Sequence, residues 1–246
     1  MQKIILMAAL LIQSICVCYA APLTPYRADY EATWKAGWFP ITVQAIRTLI
    51  QLTPEPDSDN QAQWQLTFEV YSSVADLSEI SQFSIQKNTI KPINYRYKTS
   101  GFLTKKRRVQ EFDWQENKVW LPNKNIWGEY SLPKNLQDNL SYQEQIRLDL
   151  RQGKNEFSYP VAYKHRLKEY QFKVTGESQL KTQQGFITAI EVAQVQPKNP
   201  KESTLLWFAK DHDFLLLKLE TKKKNGNKHT VILKNVQMGE VSIIGF

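Results

Sequence analysis

The residue types that most often carry chemistry are few in this chain of 246 residues, and their spacing does not bring them together. His165, His212 and His229 each fall in or beside a run of turn-forming residues. Asp211-His212-Asp213 holds three metal-ligating types in a row, but adjacent residues of extended chain point to opposite faces and cannot converge on one ion. Serine, histidine and acidic residues are all present. No Gly-x-Ser-x-Gly elbow is there to present a serine nucleophile at a strand-to-helix turn. The two cysteines, Cys16 and Cys18, lie in the apolar N-terminal stretch. No catalytic residue, metal ligand or cofactor is therefore assigned, and the expectation is a protein without enzymatic activity.

Residue types suited to binding are more plentiful. Lys105, Lys106, Arg107 and Arg108 form a dense basic run and are candidate contacts for an anion. Consecutive positions on a strand divide between the two faces, so the alternative is a solvated strand end whose charge discourages edge pairing. Trp38-Phe39, between Gly37 and Pro40 at a hairpin tip, and Trp127 with Tyr130 are the candidate ligand contacts. Trp127 and Tyr130 are also expected to cap the core from an irregular segment, 122–133. Alternation places Trp34, Trp64 and Trp114 inward, where large rings bury much apolar area.

The elements that must position these residues are mostly strands. Over 26–34 the even positions are Tyr, Ala, Tyr, Ala and Trp, and the odd ones are polar, which is the period of a half-buried strand. Strands are predicted in the same way over 41–52, 64–70, 78–87, 90–99, 105–114, 119–121, 156–164, 168–175 and 186–195. A three-strand meander follows over 203–234, with corners at Asp211-His212-Asp213 and Asn225-Gly226. The hairpin after residue 78 is expected to turn at Asn88-Thr89. One helix is predicted, opened by a capping box of Ser141 and Glu144 and ended by Gly153. Its residues Tyr142, Ile146 and Leu150 form a narrow apolar stripe to lie on the sheet. The fold class is mainly β: a strongly bent antiparallel sheet or partly open β-barrel with one short helix packed on it.

Residues 1–20 read as a secretory signal peptide, with Lys3, an apolar run and a small-residue end at Cys18-Tyr19-Ala20. A single β-rich periplasmic domain, 21–246, is expected beyond it, with no later apolar run long enough to span a membrane. The net charge of +8 and a pI near 9.3 favour anionic surroundings, a lipid or another anionic envelope component. An envelope protein is the alternative partner. Nucleic acid is not expected, since the composition carries no binding motif for it.

Ile146-Arg147-Leu148-Asp149-Leu150, the run from Tyr170 through Gly176, Gly185 and Leu206-Trp207-Phe208-Ala209 form an ordered set. With Tyr30-Glu31-Ala32-Thr33-Trp34 and the strand from Arg107 to Trp114, this order resembles the exported bacterial family known as domain of unknown function 3108. The resemblance covers nearly the whole chain beyond the leader and implies a Gram-negative periplasmic protein. The Leu-Trp-Phe-Ala stretch and its returning strand also look like the curved sheet of the lipoprotein-localisation carriers. Two functions are thus weighed: a non-enzymatic module holding an apolar or lipid-like ligand in a curved sheet, and an envelope interaction protein with a filled core that docks by basic and aromatic edges. A hydrolase is a third and weaker reading.

Removal of the leader would take both cysteines with it. The mature protein is therefore expected to start at Ala21 or Pro22 and to melt at the same temperature with and without dithiothreitol. N-terminal sequencing of the exported protein and paired thermal melts check this; a chain starting at Cys16 or Cys18, or a midpoint lowered by reductant, contradicts it.

Overall fold

The computed structural model describes residues 23–36, 39–53, 62–72, 75–101, 105–128, 130–195 and 202–246. Its strands are β1 (Tyr26–Ala36), β2 (Phe39–Leu52), β3 (Gln63–Tyr71), β4 (Ala75–Gln86), β5 (Thr89–Gly101), β6 (Lys106–Asp113), β7 (Lys118–Leu121) and β8 (Ile126–Trp127). After helix α1 (Ser141–Arg151) come β9 (Glu156–Tyr163), β10 (Arg166–Thr182), β11 (Gly185–Val195), β12 (Ser203–Ala209), β13 (Leu215–Lys222), β14 (Lys228–Met238) and β15 (Val241–Ile244). They make one antiparallel sheet in the order β8-β7-β6-β5-β4-β3-β2-β1-β14-β13-β12-β11-β10-β9, with β15 on β14. Two meanders therefore meet where β1 pairs with β14.

The alternation seen in the sequence is the inner face of this sheet. Tyr26, Ala28, Tyr30 and Ala32 of β1 are buried, as are Trp64, Leu66 and Val70 of β3. Trp34 and Trp114 are half-buried and pack against the same core. Among the described residues the sheet bends round on itself without pairing its two end strands. The seam is bridged by the segment before α1, where Gln137 donates its N–H to Pro160 O at 2.9 Å and accepts from Ala162 N at 2.8 Å. The Gln137 side-chain amide donates to Ile90 O at 3.1 Å, and Gln145 Oε1 accepts from Ile90 N at 2.7 Å, which ties β9 to the start of β5.

The helix lies inside the bend rather than on an outer face, and its residues Ser141 to Leu150 are all buried. Tyr142, Ile146 and Leu150 face the inner side of the second meander, packing with Phe157, Tyr159, Phe172, Val192, Phe208 and Leu216. The opposite side is polar. Glu144 accepts from Arg47 Nη2 at 2.9 Å, from Tyr26 OH at 2.8 Å and from Arg147 Nη1 at 2.5 Å. Arg47 also donates to Tyr26 OH and to Gln143 Oε1, each at 2.7 Å, and Arg147 reaches Asp213 Oδ2 at 2.9 Å. The buried Arg47 and Arg147 are thus matched by Glu144 and Asp213, with the partly exposed Arg151 also 3.3 Å from Asp213, and such pairing is the condition for burying charge at all.

Several local expectations shift. There is no capping box: Ser141 is the first helical residue, and Asp138 Oδ1 accepts from Leu140 N and Ser141 N, each at 2.8 Å. Glu144 is drawn to the arginines instead of to the helix end. Gly153, at φ +73°, does close the helix, with its N–H on Leu150 O and that of Lys154 on Asp149 O. The hairpin turns at Lys87 and Asn88, whose φ angles are +49° and +62°, one residue earlier than expected. The corner after β12 turns left-handed at Asp213 and Phe214. β10 runs well past 175 because a bulge at Val174/Gly176 absorbs the irregularity.

The buried ion set gives a direct test. Glu144→Ala leaves Arg47 buried without its counter-charge and Arg147 with Asp213 alone, and is expected to cost about 3–5 kcal/mol in urea unfolding. Breaking the exposed Lys210–Glu177 pair is expected to leave the midpoint unchanged. Equal effects of the two changes would contradict the assignment.

Candidate functional site

Two openings of the structure lie at one end of the bent sheet, around the N-terminal turn of α1. Between α1 and the first meander is a cavity of about 150 Å³ bordered by Tyr30, Arg47, Phe68, Glu79, Gln143 and Leu219. On the other side of the helix start, a cleft of about 590 Å³ is lined by Tyr142, Lys168, Tyr170, Gln194, Thr221 and Lys223, among others. Leu219 borders the cavity and Thr221, two residues along β13 on the same face, borders the cleft, so both open at the same end.

The aromatic floor of the cleft follows from strand alternation on β10, which turns Lys168, Tyr170 and Phe172 inward. Tyr142 stacks on Phe172 with ring centroids 5.6 Å apart and meets Tyr170 edge-on at 5.5 Å. Burial pushes the phenols of Tyr142 and Tyr170 above the ordinary range, so both stay neutral. Lys168 Nζ lies 3.7 Å from the centre of the Tyr163 ring. Lys168, Lys222 and Lys223 stand against Glu169 and Glu202 on this rim, an excess of positive charge.

Glu79 is the group of the cavity that titrates in a useful range. Desolvation raises its carboxyl to about 7, opposed by a hydrogen bond from Tyr95 OH at 2.9 Å and by the Arg108 guanidinium, while nearby Asp138 adds to the rise. Asp138 is itself raised by burial, although Ser81 Oγ donates to it at 2.5 Å. Burial alone would also raise Glu144, but Arg147 and Arg47 hold it below the ordinary carboxylate range.

The residues singled out from sequence do not form one site. Lys105, Lys106 and Arg107 are exposed, whereas Arg108 turns inward with its guanidinium carbon 4.2 Å from the centre of the Tyr97 ring and 5.7 Å from that of Tyr163. Arg107 shares the outer face with Arg96 and Lys98 around a groove of about 380 Å³. Those two partners were not singled out, because only the register of β5 against β6, Lys98 opposite Arg107, brings them together. Trp127 is 49% exposed on β8 and does not cap the core; Tyr130 does pack against it. Trp38 lies outside the described residues, as does the side chain of Phe39, whose backbone begins β2. The three histidines stay apart: His165 and His212 are in turns, and His229 meets Trp34 edge-on at 6.3 Å. Among the described residues no three His, Cys, Asp or Glu side chains are grouped to hold a metal.

The family described as "Protein of unknown function (DUF3108)" matches residues 29–233. The chain belongs to this family. No curated protein matches it. Among solved structures, a β-barrel-like protein of the domain of unknown function DUF1849 from Brucella abortus superposes with a TM-score of 0.56. It is 10% identical, over 90% of this chain and 100% of that one, so the likeness is one of fold. A DUF1329 family protein from Desulfovibrio piger follows, with a TM-score of 0.30 and 9% identity over 88% of this chain and 86% of that one. A putative outer membrane lipoprotein-sorting protein domain from Vibrio parahaemolyticus gives 0.23 and 10% identity over the same shares. Neither of these two superposes closely enough to support an argument. Among the described residues no helix is long and apolar enough to cross a membrane.

The raised carboxyl of Glu79 fixes a sign. An acid that binds its proton more tightly in the folded chain lends stability that is full below the unfolded value near 4.5 and is lost as pH rises through about 7. Urea midpoints are therefore expected to fall between pH 5 and pH 8, and Glu79→Gln is expected to flatten that fall. A wild-type slope unchanged in the variant would place the titration elsewhere.

Proposed function

We propose that this DUF3108 protein is a non-enzymatic binding module of the periplasm, and that its ligand is an amphiphile with an anionic head seated at the open end of the bent sheet. The observation that carries this reading is the cleft of about 590 Å³, since ligand sites begin at about 300 Å³. Its neutral tyrosine floor suits an apolar portion, and its lysine rim suits a carboxylate or phosphate. The cavity behind it, at about 150 Å³, is half the size an enclosed ligand needs. A whole acyl chain held within the sheet, as a hollow curved carrier would hold it, is therefore not part of the proposal.

One observation favours the docking alternative: α1 fills the concave space that a carrier would leave empty. A fluorescent fatty acid and its methyl ester separate the two readings. The acid is expected to bind saturably and to weaken about tenfold, near 1.4 kcal/mol, on esterification or in a Lys168→Glu, Lys222→Glu variant. Native mass spectrometry of protein taken from the periplasm is expected to show the ligand as added mass. No saturable binding and no added mass, with a protein co-purifying instead, would favour docking.

A further inference from the structure

Away from that end, on the outer face of the first meander, strand register builds a row of side chains that no single stretch of sequence displays. Gln65 pairs with Gln82, Asn94 with Glu111, Glu111 with Trp120, and Trp120 with Trp127. The bulge between Gln82 and Phe83 brings Gln82 opposite Asn94. The row crosses six strands, β3 to β8, a span on the order of 24 Å at strand spacing. Its amides are already joined: Gln82 Nε2 donates to Gln65 Oε1 at 2.9 Å, and Asn94 Nδ2 donates to Gln82 Oε1. Its far end is aromatic, with the Trp120 and Trp127 rings 5.1 Å apart and tilted by 56°. Where amides and indoles meet, a groove of about 670 Å³ opens, bordered by Asn94, Glu111, Asp113, Trp114, Trp120 and Trp127.

We propose that this groove and row are a binding site for a glycan, a chain of pyranose units lying across the strands. Each pyranose has an apolar face of C–H groups, whose weak positive charge suits the negative face of an indole. Its rim of hydroxyls both donates and accepts, which planar amides and carboxylates match. Asn94 lines the groove, and its buried Oδ1 has no partner among the described residues, an acceptor that a small turn of the side chain would offer to a ligand hydroxyl. Glu111 is exposed beside Trp120 and forms no ion pair among the described residues. An anionic lipid head is disfavoured by Glu111 and Asp113. A cationic ligand is disfavoured because it would meet two lysines already beside the indoles: Lys91 Nζ is 4.9 Å from the centre of the Trp114 ring and Lys118 Nζ 5.7 Å from that of Trp127. A peptide strand would find in β8 a backbone edge only two residues long. This inference does not rest on the amphiphile reading, which concerns the opposite face of the sheet.

Glycan microarrays and co-sedimentation with isolated peptidoglycan sacculi, both at high salt, test it, followed by titration of tryptophan fluorescence with a glycan that binds. Salt-resistant binding is expected, with a shift in tryptophan emission. It should weaken about tenfold for Trp120→Ala or Trp127→Ala. Both indoles project from the outer face, so these variants should keep their far-ultraviolet circular dichroism; Glu111→Gln, which preserves shape, should also weaken binding. Absence of binding to every array glycan and to sacculi overturns the proposal, as does binding that disappears with salt or survives Trp120→Ala and Trp127→Ala combined in one chain. Capture of a peptide at the groove in place of any glycan overturns it too.

Discussion

A single carboxylate, Glu144, sits between two buried arginines, and the architecture depends on that arrangement. Arg47 comes from the second strand, Arg147 from the helix itself, and Asp213 from the corner after β12, so three remote parts of the chain meet at the polar side of α1. Each ion alone would carry a desolvation cost of several kcal/mol. Together, with Tyr26 and Gln143 completing their hydrogen bonds, they form a paired set that fixes where the helix can sit. Apolar packing on the opposite side of the helix supplies attraction without direction; the ion set supplies the direction.

Because the helix occupies the inside of the bend, the protein has little interior left to offer. Its openings lie at the end where α1 begins and on the outer faces of the strands. The bent sheet therefore works as a scaffold for surfaces rather than as a container. A solid core also frees the two meanders to differ: the second packs an aromatic and aliphatic cluster against α1, and the first carries amides, a carboxylate and indoles on its outside.

Much of this was legible in the sequence, because burial on one face of a strand writes itself as alternation. Tyr26, Ala28, Tyr30 and Ala32, or Trp64 and Leu66, announce both the strand and its inner face. The stripe Tyr142, Ile146, Leu150 likewise announced which side of the helix is apolar. The polar side was not legible. Glu144 three residues after Ser141 has the form of a capping box, and only the fold reveals an arginine 97 positions upstream competing for its carboxylate. The site residues suffered similarly. That alternation divides Lys105 to Arg108 between two faces was legible, but the partners on each face were not: Arg108 meets the tyrosines inside and Arg107 joins Arg96 and Lys98 outside. Groups assembled by register across several strands leave no local pattern.

Hydrogen exchange resolved along the helix tests the placement of α1 most directly. The account predicts that the amides of residues 142–150 exchange as slowly as those of β1 and β14, through global unfolding alone. Exchange of those amides at rates typical of a surface helix, while the central strands stay protected, would show that the helix is not the packed centre of the sheet and would contradict the account.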